Sequence, residues 1–313
     1  MTQALVKVET NNLMAGSFDF SLVTRWLAFA QVSAASVKSY SKGIKRLQEY
    51  MADNNIITPT RGEMVVYREY LGNKYQPTTA NLYITAAKLF FAFLTTEGFI
   101  SVNPCEHIKG FKLSNEHKKS ALSIEMTKTV LNRFDVSTLQ GLRNKALYSL
   151  MTCCGLRCVE VQRANFGDLE KIGGVYRLRL QGKGHTQKDS AVNVPESVVK
   201  LIFDYLEKRG TIKADYPLFA SISNRNNGGR LTTVSISRII KSALREGGYD
   251  SPRLTAHSLR HSAATVALQS GASLREVQQL LRHQKIDTTT IYLHELNALE
   301  NQASNLAASA FGF

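Results

Sequence analysis

From Phe18 to about His107 the apolar residues return every three or four positions. Leu22, Trp26 and Phe29 open the pattern, and Val37, Tyr40, Ile44, Leu47 and Met51 continue it. After a Pro59 turn come Met64, Val65, Tyr67, Tyr70 and Leu71. Pro77 and Thr78 then start a longer run of Leu82, Ala86, Leu89, Phe90, Phe93 and Leu94, which Gly98 ends. Such spacing places each set on one face of a helix, with Pro tolerated at a helix start and Gly favoured past its end. Helices with one apolar stripe apiece hide it only against one another. Residues 17–108 are therefore expected to form a small helical bundle, preceded by a polar, aperiodic arm at 1–16.

Asn103-Pro104 interrupts the pattern, and residues 109–119, with Lys112, Lys118 and Lys119, carry no apolar period and suit a linker. A second domain is expected over 120–313, with helices near 123–134 and 140–153 and a helical style continuing through Arg157 to Arg163. There the period changes. Tyr176, Leu178 and Leu180 alternate with Arg177 and Arg179, a strand signature, and Gln181-Gly182-Lys183-Gly184 turns into a short return strand at Ala191 to Val194. Helices resume near 196–208, 233–246, 257–270 and 273–283. The expected fold class is mainly α with a small β-sheet.

The 39 basic and 25 acidic residues leave a formal charge of +14, most of it in the second domain. That balance favours a polyanionic partner, nucleic acid first and an anionic membrane surface second. Lys38, Lys42, Lys45 and Arg46 lie on the polar side of the second helix, as a solvated face or a nucleic-acid contact. No apolar run approaches the roughly 20 residues of a spanning helix, and Met1 to Gly16 lacks the basic start and apolar core of a signal peptide. A soluble, cytoplasmic protein is expected. Of Cys105, Cys153, Cys154 and Cys158, the last three cluster on an apolar helical stretch and suit buried free thiols. No metal is expected: His257 and His261 are four apart, but Ser258 stands where a zinc-protease helix has Glu.

The chemistry concentrates in Thr255-Ala256-His257-Ser258-Leu259-Arg260-His261, in Leu281-Arg282-His283, and in Tyr292. An Arg fork grips two phosphate oxygens, His exchanges a proton near neutral pH, and a Tyr hydroxyl can act as a covalent nucleophile. Arg157, after Gly155 and in a mostly apolar setting, works against the helix dipole and must find an anion. That anion is either a phosphate or a neighbour, Glu160 or Asp168. Lys183 is either a solvated hairpin tip or an ammonium lowered into a site as general acid, with Lys188 a weaker competitor.

In this order the set resembles the tyrosine recombinase (phage integrase) family, over nearly the whole chain. The resemblance implies an N-terminal SAM-like core-binding domain and a C-terminal α+β catalytic domain whose tail, 293–313, contacts another subunit. The layout is most similar to the compact recombinases that resolve chromosome dimers, and to integrases without an arm-binding domain. Tyr292 would attack the scissile phosphate, forming a 3′-phosphotyrosine. Arg157 and Arg260 would hold the non-bridging oxygens, Lys183 would protonate the leaving oxygen, His257 would assist proton transfer and His283 would add a hydrogen bond. Glu160 and His261 would support them. The family implies no cofactor, and as partner a specific double-stranded DNA site, with a homotetramer on two duplexes exchanging strands through a Holliday junction. It also implies a nucleoid-associated location and allows an accessory directionality factor. Two rival readings are a type IB topoisomerase, with similar chemistry in a monomer, and a DNA-binding module without catalysis. Arg282 departs from the family, many of whose members have Gly there. It either adds bulk near DNA or supplies one more phosphate contact.

Overall fold

The computed structural model describes residues 20–30, 32–113, 120–182, 184–210, 213–300 and 302–312. The chain divides into two compact units, one ending at Glu116 and the other beginning at His117.

In the first unit the helical periods become α1 (Phe20–Phe29), α2 (Ala34–Asp53), α3 (Arg61–Lys74) and α4 (Pro77–Thr96). The starts of α2 and α3 satisfy orphan N–H groups locally. The Ser33 hydroxyl accepts from the Ser36 N–H at 3.2 Å, and Thr60 and Glu63 form a reciprocal capping box. Pro77 occupies the first turn of α4. Trp26, Leu47, Leu71, Phe90 and Leu94 are buried together, with the Trp26 and Phe90 rings 5.4 Å apart edge to face. Val65 and Leu89, expected on the apolar faces, are 44% and 42% exposed. The buried stripes are narrower than the periods suggest and centre on Tyr67 and Phe90.

The stretch expected to begin a linker at 109 instead lies against this unit. Asn81 donates to the Phe111 carbonyl at 2.9 Å and accepts from its N–H at 2.7 Å. The Arg68 guanidinium sits 4.1 Å over the Phe111 ring. Gly72 makes the room, since a Cβ there would lie 2.5 Å from that ring.

The second unit holds α5 (Ile124–Asn132), α6 (Leu139–Cys154), α7 (Cys158–Arg163), β1 (Leu169–Ile172), β2 (Val175–Leu180), β3 (Ser190–Asn193), α8 (Glu196–Arg209), α9 (Thr233–Glu246), α10 (Ala256–Gln269), α11 (Leu274–Leu281), α12 (Asp287–Glu300) and α13 (Ala303–Phe311). The strands form an antiparallel sheet in the order β1-β2-β3, with Leu178 paired to Leu169 and Val192. Leu178 and Leu180 point inward while Arg177 and Arg179 are exposed, as their alternation requires. β1, short and polar, carries no such signal. It is joined to β2 through Gly173 and Gly174, both at positive φ, the requirement of a two-residue hairpin turn. α6 is the central helix: Leu147, Leu150, Met151 and Cys154 are fully buried, and it packs on α8 and α10. Cys105 and Cys154 are buried thiols, whereas Cys153 is exposed.

Two differences from the sequence expectation concern the site. α11 stops at Leu281 because Arg282 turns left-handed, at φ 54 and ψ 45. Tyr292 stands on α12, which begins at Asp287 and lies beyond the helices named from the sequence. Among the described residues no helix is long and apolar enough to cross a membrane.

Candidate active site

α6 ends at Gly155 in the left-handed region, φ 57. A Cβ at this position would lie 2.7 Å from Leu281 Cδ2, so only glycine fits both the angle and the space. The turn delivers Arg157 to the N-cap of α7. The Arg157 N–H donates to the Glu160 carboxylate at 2.8 Å, and its Nη1 reaches the other oxygen at 2.9 Å. Of the two acidic partners open to Arg157, the structure uses Glu160. Asp168 is instead paired with Lys188.

α10 supplies the second group. Arg260 is 1% exposed. Its Nη1 donates to the Gly155 carbonyl at 2.5 Å and its Nη2 to the Leu281 carbonyl. Burial first, then the charges of Arg157 and Arg282, push its pKa down to about 9, which leaves it cationic at neutral pH. The exposed His257 meets His261 edge to face at 4.6 Å, and His261 meets the Tyr292 ring at 5.3 Å.

The turn from α11 to α12 supplies the third. Arg282 Nη2 donates to Glu160 Oε2 at 2.8 Å and to the Gly155 carbonyl at 3.2 Å. Its Nη1 donates to the Leu280 carbonyl at 2.6 Å. The Nδ1 of His283 lies 2.9 Å from the Thr289 hydroxyl, and Thr289 is fully buried. Burial, then Arg260, Arg157, Arg282 and His257, push the His283 pKa down to about 4, so the ring is neutral at pH 7.

These pieces enclose a cavity of about 460 Å³ lined by Arg157, Glu160, Arg282, His283 and Lys285, with Gly182, His185 and Ser190 of the β2–β3 hairpin opposite. Lys183 lies outside the described residues; its neighbours Gly182 and His185 are on the wall. Lys188, the other lysine of the hairpin, is held by Asp168. Arg260 lies behind the wall rather than on it. Tyr292 is 4% exposed and packs with Ala264, Val277 and Leu281. The structure thus gathers Arg157, Glu160, Arg260 and His283 at one hollow. His257, His261 and Tyr292 form a chain of rings from the same helix pair. Sequence reasoning noticed Arg282 only as a departure and passed over Thr289. Nothing in sequence spacing ties Arg282 to a carboxylate on another helix.

A cationic hollow beside a tyrosine on a mainly α scaffold carries a recognisable family pattern. Residues 125–298 match the model of the phage integrase family, more than half the chain. The chain belongs to the phage integrase family. Residues 25–98 match the family's N-terminal SAM-like domain. The tyrosine recombinase XerD of Listeria innocua is 28% identical over 291 residues, spanning 91% of this chain and 94% of the relative. The XerH site-specific recombinase bound to palindromic difH substrate shares the fold, with TM-score 0.70 and 22% identity over 88% of this chain and 80% of that one. A lambda integrase tetramer bound to a Holliday junction shares it with TM-score 0.69 and 17% identity, over 87% and 76%. Family and relatives make this chain a site-specific tyrosine recombinase.

Proposed function

We propose that Tyr292 attacks a scissile phosphate seated in the Arg157–Arg282–His283 hollow, leaving a 3′-phosphotyrosine and a free 5′-hydroxyl. One observation carries the reading: a buried carboxylate shared by two guanidinium groups, with a third behind it, gives the cavity a surplus of positive charge. In the transition state charge grows on the phosphoryl oxygens, and fixed cations stabilise it without reorganising. Arg157 serves the non-bridging oxygens directly, while Arg260, behind the wall with both Nη groups on carbonyls, adds its positive charge to the site. The neutral His283 offers Nε2, its other nitrogen being held by Thr289. His257 assists proton transfer, and Lys183 protonates the leaving oxygen. The covalent bond to Tyr292 conserves the energy of the broken ester, so rejoining is the reverse attack by a 5′-hydroxyl.

The substrate is duplex DNA. Lys38, Lys42 and Lys45 on α2 are all exposed, a basic row suited to phosphate contacts. Strand exchange needs two duplexes and, at one active site per strand, four subunits. α13 supports such an assembly. It has no buried residue, and Leu306 and Phe311 are 69% and 78% exposed, which favours a neighbouring subunit over its own domain as the surface it covers.

The test is Tyr292→Phe, which keeps the ring and removes only the nucleophilic oxygen. It should bind the crossover site normally and form no denaturant-resistant protein–DNA adduct. An adduct from this variant would move the nucleophile elsewhere.

A further inference from the structure

Arg282 combines a strained backbone with a side chain that is almost wholly used. At φ 54 any residue with a Cβ is disfavoured, and such strain persists only where the surroundings over-determine it. Here the surroundings are two turns. On one side Arg282 bonds the Leu280 carbonyl at the end of its own helix; on the other it reaches the carbonyls of Cys154 and Gly155 and the carboxylate of Glu160. The Cys154–Arg157 turn presents Arg157, and the Leu281–His283 turn presents His283.

We propose that Arg282 is a positioning residue of the phosphate site, a clamp that ties the Arg157 turn to the His283 turn through Glu160. The inference rests on the phosphate role given above to Arg157 and His283. Glu160 is 1% exposed and carries one negative charge. With Arg157 as its sole cation the two would form a neutral pair, and the carboxylate would draw the Arg157 fork away from the hollow. With Arg282 on Oε2, Arg157 engages Oε1 by a single Nη1 and remains 32% exposed, its other donors available to an anion. Burial works to raise the Glu160 carboxyl, but the charge of Arg282 is the largest opposing influence and the net shift is downward. The carboxylate therefore stays ionised as a fixed hinge between the arginines. Arg260 repeats the tie from behind by joining the Gly155 and Leu281 carbonyls.

The test uses the full chain and a nicked duplex carrying the crossover site selected from a random library by binding. Arg282→Gly relieves the backbone but removes the bonds to Glu160 and to three carbonyls, so its melting temperature should fall, and cleavage is compared at a temperature where both proteins are folded. Single-turnover adduct formation should fall roughly 10- to 100-fold, the range for residues that orient a reactive group. DNA affinity, spread over many backbone contacts, should change by less than about threefold. Arg282→Asn, also tolerated at this angle, should behave alike. Because the clamp acts through Glu160, the losses from Arg282→Gly and Glu160→Gln should be markedly less than additive. Parent-rate adduct formation by Arg282→Gly, equal losses in binding and cleavage, or full additivity with Glu160→Gln would each overturn the clamp. Arg157→Ala is the parallel control. If it cleaves normally, the phosphate-site reading itself fails. If it is inactive while Arg282→Gly matches the parent, only the clamp fails.

Discussion

The neutral state of His283 is a consequence of its company. It sits among three arginines and half out of water, and its pKa falls to about 4. The sign follows directly. The fold favours the neutral ring, so between pH 6.5 and 4 the unfolded chain takes up a proton that the folded chain refuses. The stability tied to this residue is full above the unfolded value and is lost as pH falls toward the folded one. An NMR titration of the free protein should place the His283 ring midpoint near 4, and a midpoint at 6.5 or above would contradict the electrostatic picture. Lys183 carries a separate expectation. If it protonates the leaving oxygen, Lys183→Ala should lose cleavage of ordinary DNA and regain it on a substrate with a 5′-bridging sulfur, whose thiolate leaves without an acid. Failure of that rescue would transfer the role to His257, since Lys188 is engaged by Asp168. At this scale the order of Arg157, Glu160, Arg260, His261, His283 and Tyr292 along the chain carries the resemblance that proposes them as a set, since each residue alone has an ordinary structural reading. Arg282 was legible only as an anomaly, and its meaning lay in a carboxylate far away in the chain.

Between elements, the decisive junction is the Gly155 turn that sets the start of α7 against the end of α11. Gly155→Ala would place a Cβ 2.7 Å from the buried Leu281 side chain at a φ of 57. The backbone term alone costs about 1–2 kcal/mol, and the clash adds to it. Urea unfolding should show a loss of at least that size, and adduct formation should drop further than stability alone explains, because Arg157 moves with the turn. An alanine variant as stable and as active as the parent would show that the turn tolerates another geometry. Most helices could be read from their period, since each stripe is a local property of the chain. Those that escaped depend on distant partners. The Thr288-Thr289-Thr290 run resembles a polar turn, yet Thr289 and Tyr292 are buried within α12, and tertiary packing outweighs a weak intrinsic preference. Phe111 is one of two apolar residues in a polar run, and its place is set by Gly72 and Asn81.

For the whole molecule, the exposed α13 predicts an interface. Deleting Ala303 to Phe313 should leave binding to a single half-site unchanged, while cooperative occupation of a full site and recombination fall at least tenfold, the equivalent of about 1.4 kcal/mol of lost subunit contact. Gel-shift titration of half and full sites separates the two. Full-rate recombination by the truncated, folded chain would assign the helix to its own domain. The burial of Tyr292 has a consequence of a different kind. If Tyr292, 4% exposed, is the nucleophile proposed above, it attacks only during the fraction of time its ring is uncovered, and breakage of stray DNA is slowed by that fraction. Each ~1.4 kcal/mol needed to uncover the ring lowers the hazard tenfold. Whatever uncovers the ring at the proper site then restores the full rate there.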